Sequence, residues 1–174
     1  LAVTKLMALQ YQLNPHFIFN TLNTIKALAK LHGESEIYTI SLQLGKLLRS
    51  SLKNHSSTCL LSESLSLTES YLAIQKIRFS EKLTYSVNTD GVMTDRIITP
   101  KLMIQPLVEN AVVHGLEPQN GSVHIDINLS IDGDRLHVTV SDNGAGMEMI
   151  PAFRDPGLLK DTSHVGLYNI YRRL

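Results

Sequence analysis

The hydrophobic period of this chain changes near residue 80, and that change limits it to a helical segment followed by a sheet-bearing one. Before it, Leu6, Leu9, Leu13, His16, Asn20, Asn23 and Ala27 recur at alternating three- and four-residue steps. That is the spacing of a helix-packing seam, and it puts His16 on the seam's line with Asn20 one turn further on. Gly33 suits a helix stop. A second helix is expected over about Glu34 to Lys53, with Ile37, Ile40, Leu44, Leu47 and Leu48 on one side. Ser62 is expected to cap a third helix running to about Phe79, with Leu65, Leu72 and Ile77 among its apolar positions. Helices joined by short connections favour a bundle.

After Ser80 the period is two. Leu83, Tyr85 and Val87 alternate with polar neighbours, as do Val123, Ile125, Ile127 and Leu129, and then Leu136, Val138 and Val140. Each run reads as a half-buried strand, and Asp132-Gly133 suits a tight hairpin between the last two. Between the first and second strands, Ile104, Leu107, Val108, Ala111 and Val112 form a helical stripe. The expected class is α+β, a helical bundle and then a helix packed on an antiparallel or mixed sheet, with domains at 1–80 and 81–174.

Composition removes several classes. At 174 residues roughly 70% of the unfolded surface can be buried, so neither disulfides nor a structural metal are needed. Sixteen basic residues balance sixteen acidic ones with no long single-sign run, which argues against nucleic acid as the main partner. Cys59 is the lone cysteine, so there is no disulfide framework, and it reads as a small apolar residue. No apolar run reaches the ~20 residues that span a bilayer, and no signal peptide opens the chain. The chain begins at Leu1, as expected of a piece of a longer protein.

Three stretches carry chemistry-bearing side chains. NPHFIFNTLN (14 to 23) puts proline and histidine where the helical pattern runs on; interior proline costs roughly 3 kcal/mol, so the helix either ends there or bends. His16 is a potential nucleophile near neutral pH, or else a packed seam histidine; Phe17 and Phe19 suit packing. In QPLVENAVVHG, Pro106, Asn110 and His114 share one line, and Glu109 points about 100° away from it. Asn110 offers an amide oxygen suited to Mg²⁺; the row could equally be the helix's solvated face. SDNGAGM (141 to 147) follows a strand, with Asp142 as an acceptor and Gly144 and Gly146 allowing close backbone approach to a ligand, or simply forming a turn. The histidines at 32, 55, 124, 137 and 164 show no metal spacing.

Taken in order, NPHFIFNTLN, YLAIQKIRF, QPLVENAVVHG, DNGAGM and VGLYNIYRRL resemble the LytS/YesM-type bacterial sensor histidine kinases over nearly the whole chain. The resemblance implies a phosphoacceptor at His16 in a helical dimerisation domain, then a GHKL-type ATP-binding domain like those of gyrase, Hsp90 and MutL proteins. It implies an N box at Asn110, the Mg²⁺ ligand, with Glu109 and His114 beside the phosphates. It implies a G1 box at Asp142, Gly144 and Gly146, the aspartate reading the adenine amino group, and a G2 box at Gly166 and Leu167. Two departures stand out. Phe17 occupies the place where other histidine kinase families carry an acidic residue, so the base lies elsewhere, and His164 stands where G2 usually starts with glycine.

On that resemblance the expected function is ATP-dependent autophosphorylation of His16 and transfer to an aspartate of a response-regulator receiver domain. The rival is a non-catalytic nucleotide-responsive scaffold; a GHKL ATPase or serine kinase would have no need of NPHF. The expected partners are ATP, Mg²⁺, a second copy of the chain and the regulator, with no nucleic acid. The chain would be the cytoplasmic portion of a membrane sensor, reaching the membrane only through segments absent here. A bend at Asn14-Pro15 is expected to turn His16 out of the seam, and Asn20, one turn on, to orient the imidazole. Glu109 is the candidate base. The sandwich is expected to be incomplete, since GHKL folds carry further strands beyond the G2 helix.

Overall fold

The computed structural model describes residues 14–53, 56–116 and 121–144. The chain forms two compact units, Leu1–Asn54 and His55–Leu174. The division falls well before the boundary expected near residue 80, for a reason given by the third helix below.

The first unit contains α1 (Pro15–Leu31) and α2 (Ser35–Lys53), packed as a helical hairpin. Asn14 is extended (φ −63°, ψ 101°), and its side chain accepts from the backbone N–H groups of His16 and Phe17. Pro15 therefore takes the first helical position, where its missing N–H would have had no helical partner and its fixed φ already suits the helix. The Asn-Pro step thus opens α1 and leaves His16 exposed, as expected of a disturbance there; the stretch before Asn14, on which a bend inside a longer helix depends, lies outside the described residues. The other end closes with Gly33 at φ 73°, where Glu34 N–H donates to Ala29 O at 2.8 Å and Gly33 N–H to Lys30 O at 3.4 Å. That pair of bonds is a Schellman motif, which favours glycine.

Leu6, Leu9 and Leu13 of the expected seam lie outside the described residues, and its described part does not face the hairpin. His16, Asn20, Asn23 and Ala27 are exposed, whereas Ile18, Phe19 and Leu22 are half-buried and Ala29 is buried. The buried stripe is thus offset from the line drawn through His16. Arg49 of α2 lies over the Phe19 ring, 5.3 Å from its centroid. Ile25, Leu28, Leu31, Ile37, Leu44 and Leu52 remain exposed along the two helices.

The second unit runs β1 (Thr58–Leu60), α3 (Leu61–Phe79), a 3₁₀ turn (Ser80–Lys82), β2 (Leu83–Asn88), β3 (Ile98–Pro100), α4 (Gln105–Leu116), β4 (Val123–Asp132) and β5 (Arg135–Asp142). β2, β4 and β5 form a mixed sheet in that order, β2 parallel to β4 and β4 antiparallel to β5. A parallel pair needs a crossover, and α4 lies within it. β4 and β5 meet in a hairpin whose two loop residues are Gly133, at φ 60°, and Asp134. β1 pairs with β3 as a separate antiparallel ribbon.

Leu83, Val123, Ile125, Ile127 and Leu129 bury one face of the sheet together with Leu61, Leu65 and Leu72 of α3 and Val108, Ala111 and Val112 of α4. Because α3 contributes these side chains to the sheet's core, it belongs with the second unit. Ser62 does not cap it. Leu60 precedes the first turn, and its N–H is satisfied by Glu63 Oε2 at 3.2 Å. On the other face of the sheet, cross-strand neighbours Thr84 and His124 bond at 2.7 Å, and Ser86 donates to Asp126. No described helix is long and apolar enough to cross a membrane.

Candidate functional site

His16 sits in the first turn of α1, exposed beside the proline that opens the helix. Its backbone N–H is held by Asn14 Oδ1 at 3.1 Å, and the same oxygen accepts from Phe17 at 3.3 Å. The residue's backbone is therefore fixed by the cap while its imidazole stays open. Asn20 Nδ2 lies 3.3 Å from both His16 Nδ1 and Nε2. A neutral imidazole has one acceptor nitrogen, and from this position the amide can donate to whichever nitrogen lacks the proton.

In the second unit, Val108, Ala111 and Val112 seat α4 on the sheet, leaving Glu109 and Asn110 half-buried and His114 exposed. Pro106, in the first turn, lacks an N–H for which the helix has no acceptor there. Glu109 Oε1 accepts from Gln105 Nε2 at 2.7 Å. Tyr71 of α3 lies within range of the Glu109 charge. Burial first, then Glu109, push the Tyr71 phenol up to about 12, while Arg78 pulls it down. The hydroxyl near the carboxylate thus stays protonated at neutral pH.

Asp142 ends β5 exposed, and its Oδ1 accepts from Gly144 N–H at 2.9 Å, so the strand turns sharply after it. Asn143 locks that turn to β4. His124 N–H donates to Asn143 Oδ1 at 2.7 Å, and Asn143 N–H donates to His124 O at 3.3 Å. A Cβ added to Gly144 would lie 2.8 Å from Gly115 Cα and 2.8 Å from Asp142 Oδ1. The last turn of α4 and the turn after β5 therefore meet backbone to backbone.

Mg²⁺ prefers oxygen donors, tolerates few protein ligands and keeps waters or phosphate oxygens. The half-buried Asn110 amide oxygen suits an ion delivered with a polyphosphate.

Residues 4–83 match the family model described as Histidine kinase, and residues 95–171 the one described as Histidine kinase-, DNA gyrase B-, and HSP90-like ATPase. The sensor histidine kinase YesM of Bacillus subtilis is 36% identical over 173 residues, covering 98% of this chain and 29% of that protein. A sensor-like histidine kinase of Staphylococcus epidermidis is 37% identical over 174 residues, covering 97% of this chain and 33% of its own. The sensor protein kinase HptS of Staphylococcus aureus is 36% identical over 173 residues, with the same shares. The chain belongs to the sensor histidine kinases.

It spans about a third of the length of the curated relatives it matches. The first family match ends and the second begins beyond α3, whereas the compact units of this chain divide before it. Sequence similarity thus groups α3 with α1 and α2, and packing assigns it to the sheet. Of the residues singled out from sequence, the structure pairs His16 with Asn20, leaves Glu109 and Asn110 both half-buried on α4, and ties Asp142 to Gly144. Gly146, His164, Gly166 and Leu167 lie outside the described residues. Sequence reasoning passed over Gly115, Gln105 and Asn143. Each lay inside a motif already quoted, but what marks it is a contact that no spacing rule reports.

Proposed function

We propose that this chain is the autokinase core of a sensor histidine kinase, in which His16 takes the γ-phosphoryl group of ATP. The observation that carries this reading is the open imidazole of His16 on a capped helix start, in the same chain as a helix locked to the turn after β5. The His16 lone pair forms a bond to phosphorus as the bond to the ADP oxygen breaks in line. Glu109 accepts the proton released from the imidazole. Asp142 receives the adenine amino group, and His114 lies toward the phosphates. Asn110 would hold Mg²⁺, which when bound neutralises charge on the phosphate oxygens. Positioning and charge neutralisation supply most of the acceleration. Asn20 steers the imidazole, and Gly146, Gly166 and Leu167 complete the nucleotide contacts.

The phosphoryl group then passes to an aspartate of a response-regulator receiver domain. The chain works as a homodimer, because the exposed apolar side chains of α1 and α2 find cover when two hairpins form a four-helix bundle. The whole protein is a membrane sensor with this portion on the cytoplasmic side, where ATP is found.

Incubation with γ-labelled ATP tests the reading. An acid-labile, base-stable label mapped to the His16 peptide is expected, and His16→Gln should abolish it while leaving nucleotide binding intact. A stable label elsewhere, or equal labelling of the variant, would overturn the assignment.

A further inference from the structure

Gln105 is the first residue of α4 and lies one turn before Glu109, with both side chains half-buried. Its Nε2 donates to Glu109 Oε1 at 2.7 Å, at the short end of the range for N–H···O bonds. A glutamate side chain left alone samples many rotamers. A general base must instead present one lone pair within hydrogen-bond reach of the proton it removes.

We propose that Gln105 is a positioning residue for phosphoryl transfer: by holding Oε1 of Glu109 it fixes the carboxylate plane and leaves Oε2 to take the imidazole proton. This rests on the reading of Glu109 as the base. A carboxylate has lone pairs enough for both partners, so the tether does not consume the oxygen that reacts. The choice of an amide has its own logic. A planar amide presents its N–H donors at fixed angles, so a bond to one carboxylate oxygen also sets the direction of the carboxylate, whereas the ammonium of a flexible lysine would hold the oxygen without fixing the plane.

The test is a double-mutant cycle in the full-length kinase, reading single-turnover autophosphorylation at saturating ATP, nucleotide affinity and melting temperature. Gln105→Ala should slow phosphorylation roughly tenfold, as misplacement of a reacting group does, with affinity and melting little changed. In a Glu109→Gln background the same substitution should cost less than about twofold, because its effect runs through the carboxylate. Gln105→Lys should also be slow despite keeping a donor. Equal losses in both backgrounds, or Gln105→Ala at full rate beside a slow Glu109→Gln, would overturn the role of Gln105 alone. Glu109→Gln at full rate would overturn the assignment of the base, and this proposal with it.

Discussion

Gly115 and Gly144 touch backbone to backbone: a Cβ on Gly144 would stand 2.8 Å from the Cα of Gly115. One closes the helix that carries Glu109 and Asn110, and the other follows Asp142. The two glycines thus set how closely the helix bearing Asn110 approaches the turn after Asp142, the two residues proposed above for Mg²⁺ and adenine. At position 115 a Cβ would also meet Val123 Cγ1 at 2.9 Å. Alanine in place of a helical glycine gains about 1 kcal/mol of helix propensity, whereas overpacking a core costs about 1–3 kcal/mol. The clash is against a β-branched, buried side chain with little freedom to turn, so overpacking should win. Gly115→Ala is expected to lower the melting temperature and weaken ATP binding. A higher melting temperature would show that Val123 yields.

Asn143 makes two bonds to the backbone of His124 and none of its own to substrate in the proposed reading. Asn143→Ala keeps the chain direction but loses the side-chain acceptor, leaving the His124 N–H without it. A net loss of about 1 kcal/mol is expected for an exposed bond of this kind. Nucleotide affinity should fall more than stability does, because the turn that presents Asp142 is loosened. Calorimetric titration of ATP beside a denaturant midpoint checks the order of the two effects.

Asn20 is set against both imidazole nitrogens of His16. Asn20→Ala should change autophosphorylation or dephosphorylation rates while the oligomeric state stays as it was. If light scattering instead shows an altered oligomer, the residue fixes helix register and does not steer the imidazole.

Alkaline pH offers a different handle. The Tyr71 phenol is raised to about 12, mainly by burial, against about 10 in an unfolded chain. A folded state that holds its proton more tightly keeps its full stability below pH ~10 and loses it as pH rises toward ~12. Tyr85 is shifted the same way, by burial and then by Glu69. Tyr71→Phe should therefore flatten part, not all, of the fall in urea midpoint between those pH values. An unchanged slope would mean that Tyr71 ionises as freely in the folded chain as in the unfolded one.

What the sequence displayed, and what it hid, follows from which interactions are periodic. β2, β4 and β5 were legible because their inward residues alternate over whole strands, and α2 and α4 because their stripes repeat. β1 and β3 have three residues each, too few for a period to show. The three- and four-residue spacing runs straight through Pro15, so the pattern read as one helix. Only the extended backbone of Asn14 shows that a helix starts there. The allegiance of α3 was hidden for a related reason, since a stripe records that a face is buried but not against what. The resemblance located Asp142 and Asn110 by motif; the apposition of Gly115 and Gly144 required the folded chain.

The parallel pairing of β2 with β4 sets an order of events during folding. Thr84 and Ser86 find their partners His124 and Asp126 40 residues further along, so the chain between must be gathered before the sheet gains its central neighbour. The α1–α2 hairpin needs only the turn at Gly33. Contacts this distant slow a fold, and local ones speed it. The hairpin should therefore regain its helices well before the sheet unit becomes competent for nucleotide. After dilution from denaturant, recovery of helical circular dichroism should outrun recovery of ATP binding; simultaneous recovery would mean that the two units fold as one. If His16 is the phosphoacceptor proposed above, a newly made chain would present it before it could use it, a built-in delay between having a target and having an activity.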